Sequence, residues 1–150
     1  MNVQVLLADA AQTDLSGKVH VLGLGWTTTS APANPMAVIV RISLDPGEDQ
    51  ESHVCLVRLV GEDGKSVELQ GADGVTVPLE VTSVITVEQN ADLVPGAPRV
   101  ASIAFNVGGG VPLKPSQRYE WNATVDGHTK DTWSAPFVTR PSVKESEGGP

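Results

Sequence analysis

Apolar and polar residues alternate with a period of two along most of this chain. The clearest run is MAVIVRISL at residues 36–44, in which every second side chain from Met36 to Leu44 is apolar. The same alternation recurs in residues 3–7, 99–107 and 118–125. Because successive side chains of a strand point to opposite faces of a sheet, this period predicts β-strands with one apolar face.

Further runs that are apolar or rich in β-branched residues add more predicted strands. These runs are residues 18–23, 53–60, 66–69, 78–89 and 130–138. Between the runs stand residues that favour tight turns, including Asp-Gly pairs at 63–64 and 126–127. The chain contains no convincing helical pattern. Short strands at this spacing are typical of an all-β protein.

The expected fold is an immunoglobulin-like antiparallel Greek-key β-sandwich of about seven to nine strands. Leu113, Pro115 and Tyr119 have the spacing of a tyrosine corner, in which a tyrosine hydroxyl bonds to the backbone a few residues upstream. We therefore assign these three residues a structural role. Residues 1–141 form the predicted domain. Residues 142–150 contain little to bury and are predicted to be a flexible C-terminal tail.

The segment Leu22-Gly23-Leu24-Gly25 could be read as a nucleotide-binding loop or as the end of a strand. A dinucleotide fingerprint needs a third glycine and a following helix, whose N-terminus holds the pyrophosphate. The next residues, TTTSAPANP at 27–35, contain two prolines and few helix formers. We therefore predict the end of a strand, with glycines that permit a bulge or the close approach of another backbone.

Composition and charge narrow the range of partners. The chain has 150 residues, of which 40% are hydrophobic, enough for one domain with its own core. A formal net charge of −8 disfavours binding to nucleic acid or to an anionic membrane. Cys55 is the only cysteine, which excludes an internal disulfide and a cysteine metal cage.

The first residues, MNVQVLLADAAQ, lack the basic segment of a signal peptide. No apolar run approaches the roughly 20 residues that span a bilayer. The sequence thus predicts a cytoplasmic protein, or a virion protein if a phage encodes it.

No set of residues indicates catalysis or metal binding. The three histidines, His20, His53 and His128, stand far apart in sequence, and no Gly-x-Ser-x-Gly motif is present. We expect exposed or half-buried histidines and a buried, unreactive Cys55. The acidic run at 48–51 lacks the residue order of a calcium loop, so a solvated loop is favoured over a weak calcium site. The sequence predicts no catalytic residues, metal or cofactor.

Two tryptophans and a nearby threonine are the candidate binding residues. Trp26 and Thr28 border the loop at 27–35, and Trp133 lies in a predicted strand. A tryptophan at the end of a strand can fill the core or anchor a partner, and we favour the core for Trp26.

Both ends of the chain resemble an uncharacterised family of small proteins from actinobacteria and their phages. The resemblance rests on Ala8-Asp9, on the strand Gly17-Lys18-Val19-His20-Val21-Leu22-Gly23, on residues 115–119 and on the Asp126-Gly127 turn. Ser116 stands where the family more often has glycine. The resemblance implies an immunoglobulin-like sandwich and no established activity.

We therefore expect a non-catalytic module for protein–protein interaction or assembly, including the role of a phage capsid or tail component. Its partner would be another protein or a second copy of the chain. Contacts are expected at an edge strand or at the loops 27–35 and 108–115. The alternative is a module that binds a small ligand or carbohydrate, with Trp26 or Trp133 as a stacking platform.

Overall fold

The computed structural model describes residues 1–48, 50–87 and 94–143. Within these ranges the chain is all-β, with twelve strands and no helix. The strands are β1 (Asn2–Ala8), β2 (Ala10–Thr13), β3 (Val19–Leu22), β4 (Thr28–Thr29), β5 (Met36–Leu44), β6 (Ser52–Gly61), β7 (Glu68–Gln70), β8 (Thr76–Pro78), β9 (Glu80–Thr86), β10 (Arg99–Val107), β11 (Arg118–Val125) and β12 (Ser134–Thr139). The all-β prediction is confirmed. The number of strands exceeds seven to nine because five of them contain only two to four residues.

Two main sheets share one core. The first has the order β1-β5-β10 and the second the order β4-β12-β11-β6-β9. Neighbouring strands are antiparallel, except that β4 runs parallel to β12. Apolar side chains of both sheets form a single buried cluster, so the sheets pack face to face. Its largest fully buried members include Trp121, Phe137, Met36, Ile42 and Leu59.

Strand β5 is buried on both faces over most of its length. Its predicted apolar face, which includes Val38 and Val40, lies in the shared core as expected. On the other face Ala37 and Ile39 are also buried, because the β2–β3 hairpin packs over them. The side-chain amide of Asn106 fixes this hairpin by accepting from the Ala11 N–H at 3.1 Å and donating to the Ala11 carbonyl at 2.9 Å.

The glycine segment is the end of a strand, as predicted. Leu22 is the last residue of β3, and no helix follows it in the described part of the chain. Gly23 and Gly25 have φ of +69° and +91°. The group that approaches Gly23 is a side chain and not a backbone: a Cβ at this position would overlap the Asp9 carboxylate.

The predicted hydrogen bond of Tyr119 is confirmed. Tyr119 is 6% exposed, and its hydroxyl accepts the backbone N–H of Lys114 at 2.9 Å. Leu113 is buried beside it, whereas Pro115 is exposed. Ser116 has φ +54°, a left-handed conformation that explains why glycine suits this position.

Some predictions fall outside the described residues. They concern Asp49 in the acidic loop, the end of the predicted strand at 88–89 and the tail beyond residue 143. Among the residues that are described, there is no helix with the length and apolar character needed to cross a membrane.

Candidate functional site

The edge of the five-stranded sheet carries an excursion that the sequence analysis missed. Strand β9 is the last strand of this sheet, and β6 is its only partner among the described strands. Ser66 also pairs with β6, opposite Val60. Residues 66–67 and 79–86 therefore follow the same side of β6, and residues 68–78 interrupt them.

Three backbone hydrogen bonds close the base of this excursion. The Val67 N–H donates to the Leu59 carbonyl at 2.8 Å, and the Leu59 N–H donates to the Leu79 carbonyl at 3.0 Å. The Leu79 N–H then donates to the Val67 carbonyl at 2.8 Å. Leu59 in β6 thus contacts both ends of the excursion. We call residues 68–78 the arm: a hairpin of β7 and β8 that pair only with each other.

Two turns of the same design shape this region. Residues 61–65 read Gly-Glu-Asp-Gly-Lys and residues 71–75 read Gly-Ala-Asp-Gly-Val. In each turn the first glycine N–H donates to the carbonyl of the fifth residue at 2.9 Å, and the aspartate accepts the N–H of the fifth residue. The second glycine has a positive φ in both. This repeated Gly-x-Asp-Gly pattern is the signal from which the arm could have been predicted.

The arm has one apolar face that its own protein only partly covers. Leu69 pairs with Val77 across the hairpin, and Leu69 packs against the core. Towards the tip Val75 and Val77 are 57% and 49% exposed. Apart from Leu69, every residue of the arm is exposed.

A second apolar pair lies on the outer face of the sheet, farther along β9 from the base of the arm. Val54 in β6 stands opposite Val84 in β9. Their side chains are 51% and 62% exposed. Cross-strand apolar pairs of this kind stabilise a sheet by shielding each other, but this pair remains open to solvent.

This region carries negative charge. No lysine or arginine occurs between Lys65 and Arg99. Its described acids are Glu68, Asp73 and Glu80, all exposed. We call the arm, β9 and Val54 together the β9 edge surface. Three cations border it: Arg58 is opposite Glu80 in β6, and Arg58, Lys65 and Lys114 line one groove with Glu68.

The residues proposed from sequence as a binding site are not brought together. Trp26 is half-buried and packs edge-to-face on Phe137, with ring centroids 5.4 Å apart. Thr28 is exposed in the short strand β4. Trp133 is 4% exposed, with the Lys130 ammonium 5.5 Å from its ring centroid. Trp26 and Trp133 contact opposite ends of β12, and Trp133 offers no open face for stacking.

The two loops proposed as contact regions do meet. The Ala33 N–H donates to the Val111 carbonyl at 3.0 Å, and the Gly110 N–H donates to the Ala33 carbonyl at 2.8 Å. Pro35 also packs closely against Gly109. Loops 27–35 and 108–115 therefore form one surface at one end of the two sheets.

His53 differs from the expectation of an exposed or half-buried histidine. It is 2% exposed, and its Nδ1 lies 2.7 Å from Oδ2 of Asp126. Its Nε2 lies 3.0 Å from the Gln50 carbonyl oxygen. Both ring nitrogens thus contact oxygen atoms of the protein, one from Asp126 and one from Gln50. The sequence missed this pair because 73 residues separate its members.

The surroundings of this pair do not activate a nucleophile. Burial, followed by the charge of Asp126, raises the pKa of the Cys55 thiol to about 11. Burial alone would raise the pKa of the Asp126 carboxyl, but hydrogen bonds from His53 and the Val54 N–H, with the nearby imidazoles, bring it below the ordinary value. Cys55 thus remains a thiol near neutral pH, while Asp126 remains charged.

No metal-binding cluster of three or more histidine, cysteine or acidic side chains occurs in residues 1–48, 50–87 and 94–143. In the acidic loop, the Glu48 carboxylate accepts hydrogen bonds from the Met1 amino group and from the Asp45 N–H, each at 2.9 Å. Glu48 thus uses its carboxylate for contacts within the chain, while Glu51 is exposed.

Comparison with known proteins gives one match. The model of a family of unknown function (DUF6941) matches residues 4–137, which is most of the chain. Neither the curated proteins nor the solved structures include a significant match. The chain belongs to this family of unknown function.

Proposed function

We propose that this protein is a non-catalytic interaction or assembly module that binds another protein chain along the β9 edge surface. The observation that carries the proposal is the exposed arm. A two-stranded hairpin is marginally stable alone in water, and this one leaves Val75 and Val77 exposed on the same face. Proteins usually cover such edges or use them for binding. A partner would bury the valines and stabilise the arm.

We further propose that the fold is an immunoglobulin-like Greek-key sandwich. Two observations support this. Without the short strands, the two sheet orders are β1-β5-β10 and β12-β11-β6-β9, so consecutive strands repeatedly cross between the sheets. Tyr119 stands near the start of β11, the sixth of the seven long strands, where a tyrosine corner is expected.

The proposed setting is an actinobacterial cell or one of its phages. Its support is the resemblance carried by Ala8-Asp9, residues 17–23 and Asp126-Gly127. The protein would then act in the cytoplasm, or in the virion as a capsid or tail component. Its charge of −8 supports a protein partner over nucleic acid or an anionic membrane.

Ligand binding, the alternative function, has less support. It depends on an aromatic platform, but Trp133 is buried and Trp26 packs on Phe137. Catalysis has still less support, because both ring nitrogens of His53 contact protein oxygen atoms and Cys55 remains a thiol near neutral pH. Neither function gains a specific observation in its favour.

Site-specific photocrosslinking in the native host tests the proposal. A photoreactive residue at Val77 should give a defined cross-linked product with one protein partner or with a second copy. The matched control is Leu15, which is also apolar and is even more exposed than Val77, but lies on the turn between β2 and β3. Equal labelling from the two positions, or no product from Val77, would contradict the proposal.

Deletion of the arm provides a second test of the proposal. Because the Leu79 N–H bonds to the Val67 carbonyl, an Asn-Gly turn can join these two residues in place of 68–78. The shortened protein should have a thermal unfolding midpoint close to that of the full chain, but it should no longer bind its partner. A shortened protein that folds and still binds would place the contact elsewhere, for example on loops 27–35 and 108–115.

A further inference from the structure

We infer that the partner of the β9 edge surface is an extended segment carrying lysine or arginine, which adds as a strand beside β9. This inference rests on the proposed function. It goes further by assigning both the shape and the charge of the partner.

The shape follows from the free edge of β9. In the described chain β9 is paired on one side only, so the outward N–H and C=O groups of its seven residues are available to a strand. A strand added here would run past the base of the arm at Leu79. Alternate side chains of the partner would lie on the same face as Val84 and pack against its exposed side chain.

The charge follows from the acids along this edge. Glu80 lies on β9 itself, Glu68 lies at the base of the arm, and Asp73 lies at its tip. Residues 66–98 contain no lysine or arginine. Arg58, Lys65 and Lys114 line a groove with Glu68, but the exposed acids Glu62 and Asp63 line the same groove. Arg58 stands opposite Glu80, yet the two form no ion pair within 4.0 Å. Cationic side chains on a partner strand would therefore be attracted to the end of β9 that carries Glu80 and to the acidic arm beside it.

The same charges do not favour pairing between two identical edges. In a symmetric dimer the β9 strands of two copies would pair antiparallel, which places Glu80 of each copy beside the far end of the other strand, where β9 carries no cation. Such a pairing gains no charge attraction, and the net charge of −8 on each copy opposes it. The favoured occupant is thus a basic segment of a different protein.

Two synthetic peptides test the inference directly. Each has the length of β9, seven residues. In the first, lysine alternates with valine and threonine, and in the second glutamate replaces every lysine. Fluorescence anisotropy with the full-length protein should detect binding of the lysine peptide and none of the glutamate peptide. Raising the NaCl concentration from about 0.05 M to about 0.5 M should lower the affinity for the lysine peptide about tenfold.

Charge reversals locate the binding. E68K and E80K should each lower the affinity for the lysine peptide about fivefold, because the attraction between the glutamate and the peptide lysines becomes a repulsion. D131K is the matched control, since Asp131 is exposed on the turn before β12, and it should leave binding unchanged. A melting curve for each variant verifies that it folds.

The outcomes separate this inference from the proposed function. Binding of both peptides with equal affinity, or full binding by E68K and E80K, would overturn the basic-strand partner. If Val77 still gave its cross-linked product, the interaction function would stand. Failure of the lysine peptide to bind would likewise overturn the inference. If Val77 also gave no cross-linked product, the proposed interaction function would be overturned together with it.

Discussion

His53 Nδ1 lies 2.7 Å from Asp126 Oδ2 and joins the start of β6 to the turn that follows β11. The same carboxylate accepts the Val54 N–H through Oδ1 at 2.9 Å. Asp126 and Gly127 have φ of +50° and +79°, the conformation of a type I′ turn. One residue therefore shapes the turn and forms a hydrogen bond with a buried imidazole.

Asp126→Asn should lower the free energy of unfolding by about 1.5–3 kcal/mol at neutral pH, because a charged hydrogen-bond acceptor is lost. Asparagine is also favoured in a type I′ turn, so the turn itself should persist. Folding lowers the pKa of Asp126. The contribution of this residue to the free energy of unfolding is therefore complete above the ordinary aspartate pKa, and it is lost as the pH falls through the lowered value. The difference in free energy of unfolding between wild type and variant should become smaller below about pH 4.

Urea denaturation from acidic to neutral pH measures this effect. Asp131→Asn, on an exposed turn, is the control and should show no comparable change. A gap that stays constant with pH would show that the carboxylate charge contributes nothing at this position.

Tyr119→Phe should cost about 0.5–1.5 kcal/mol, the net value of one hydrogen bond. The ring would still stack on Phe137, at 5.9 Å between centroids, so the loss reports the hydrogen bonds of the hydroxyl: the one from the Lys114 N–H at 2.9 Å and a longer one to Gln117 Oε1 at 3.4 Å. Thermal unfolding measures the cost, and Lys114 amide exchange should accelerate. Unchanged stability with unchanged exchange would mean that this bond does not fix the loop.

Ser116→Gly should raise the free energy of unfolding by about 0.5–1 kcal/mol. A side chain at φ +54° is strained, and glycine removes that strain. Ser83→Gly provides the contrast, because Ser83 lies within β9 at an ordinary φ and glycine weakens a strand interior. Chemical denaturation of both variants should give shifts of opposite sign. A destabilised Ser116→Gly would contradict the assigned strain.

Cys55 should react slowly with a disulfide reagent in the folded protein. It is fully buried, and burial raises its thiol pKa to about 11, so little thiolate exists near neutral pH. The same chain in urea should react rapidly, and the ratio of the two rates measures the protection. Fast labelling of the folded state would show that the core opens at β6, and would revive a nucleophilic role.

The sequence by itself determined the long strands of this protein and several of its turns. Alternation of apolar residues located β5 and β11, and Asp-Gly pairs located the turns after β6 and β11. The spacing of Leu113, Pro115 and Tyr119 predicted the Tyr119 hydrogen bond. These features succeed because they are local: each depends on backbone conformations set by neighbouring residues.

The tertiary structure alone decided which residues meet. Ala37 and Ile39 alternate as an outer face would, yet a hairpin buries them. His53 finds Asp126 across 73 residues, and Trp133 enters the core. The arm departs from the sheet because Leu59 bonds to both Val67 and Leu79. The pairing of distant strands sets all these contacts, and no local period in the sequence specifies which strands pair.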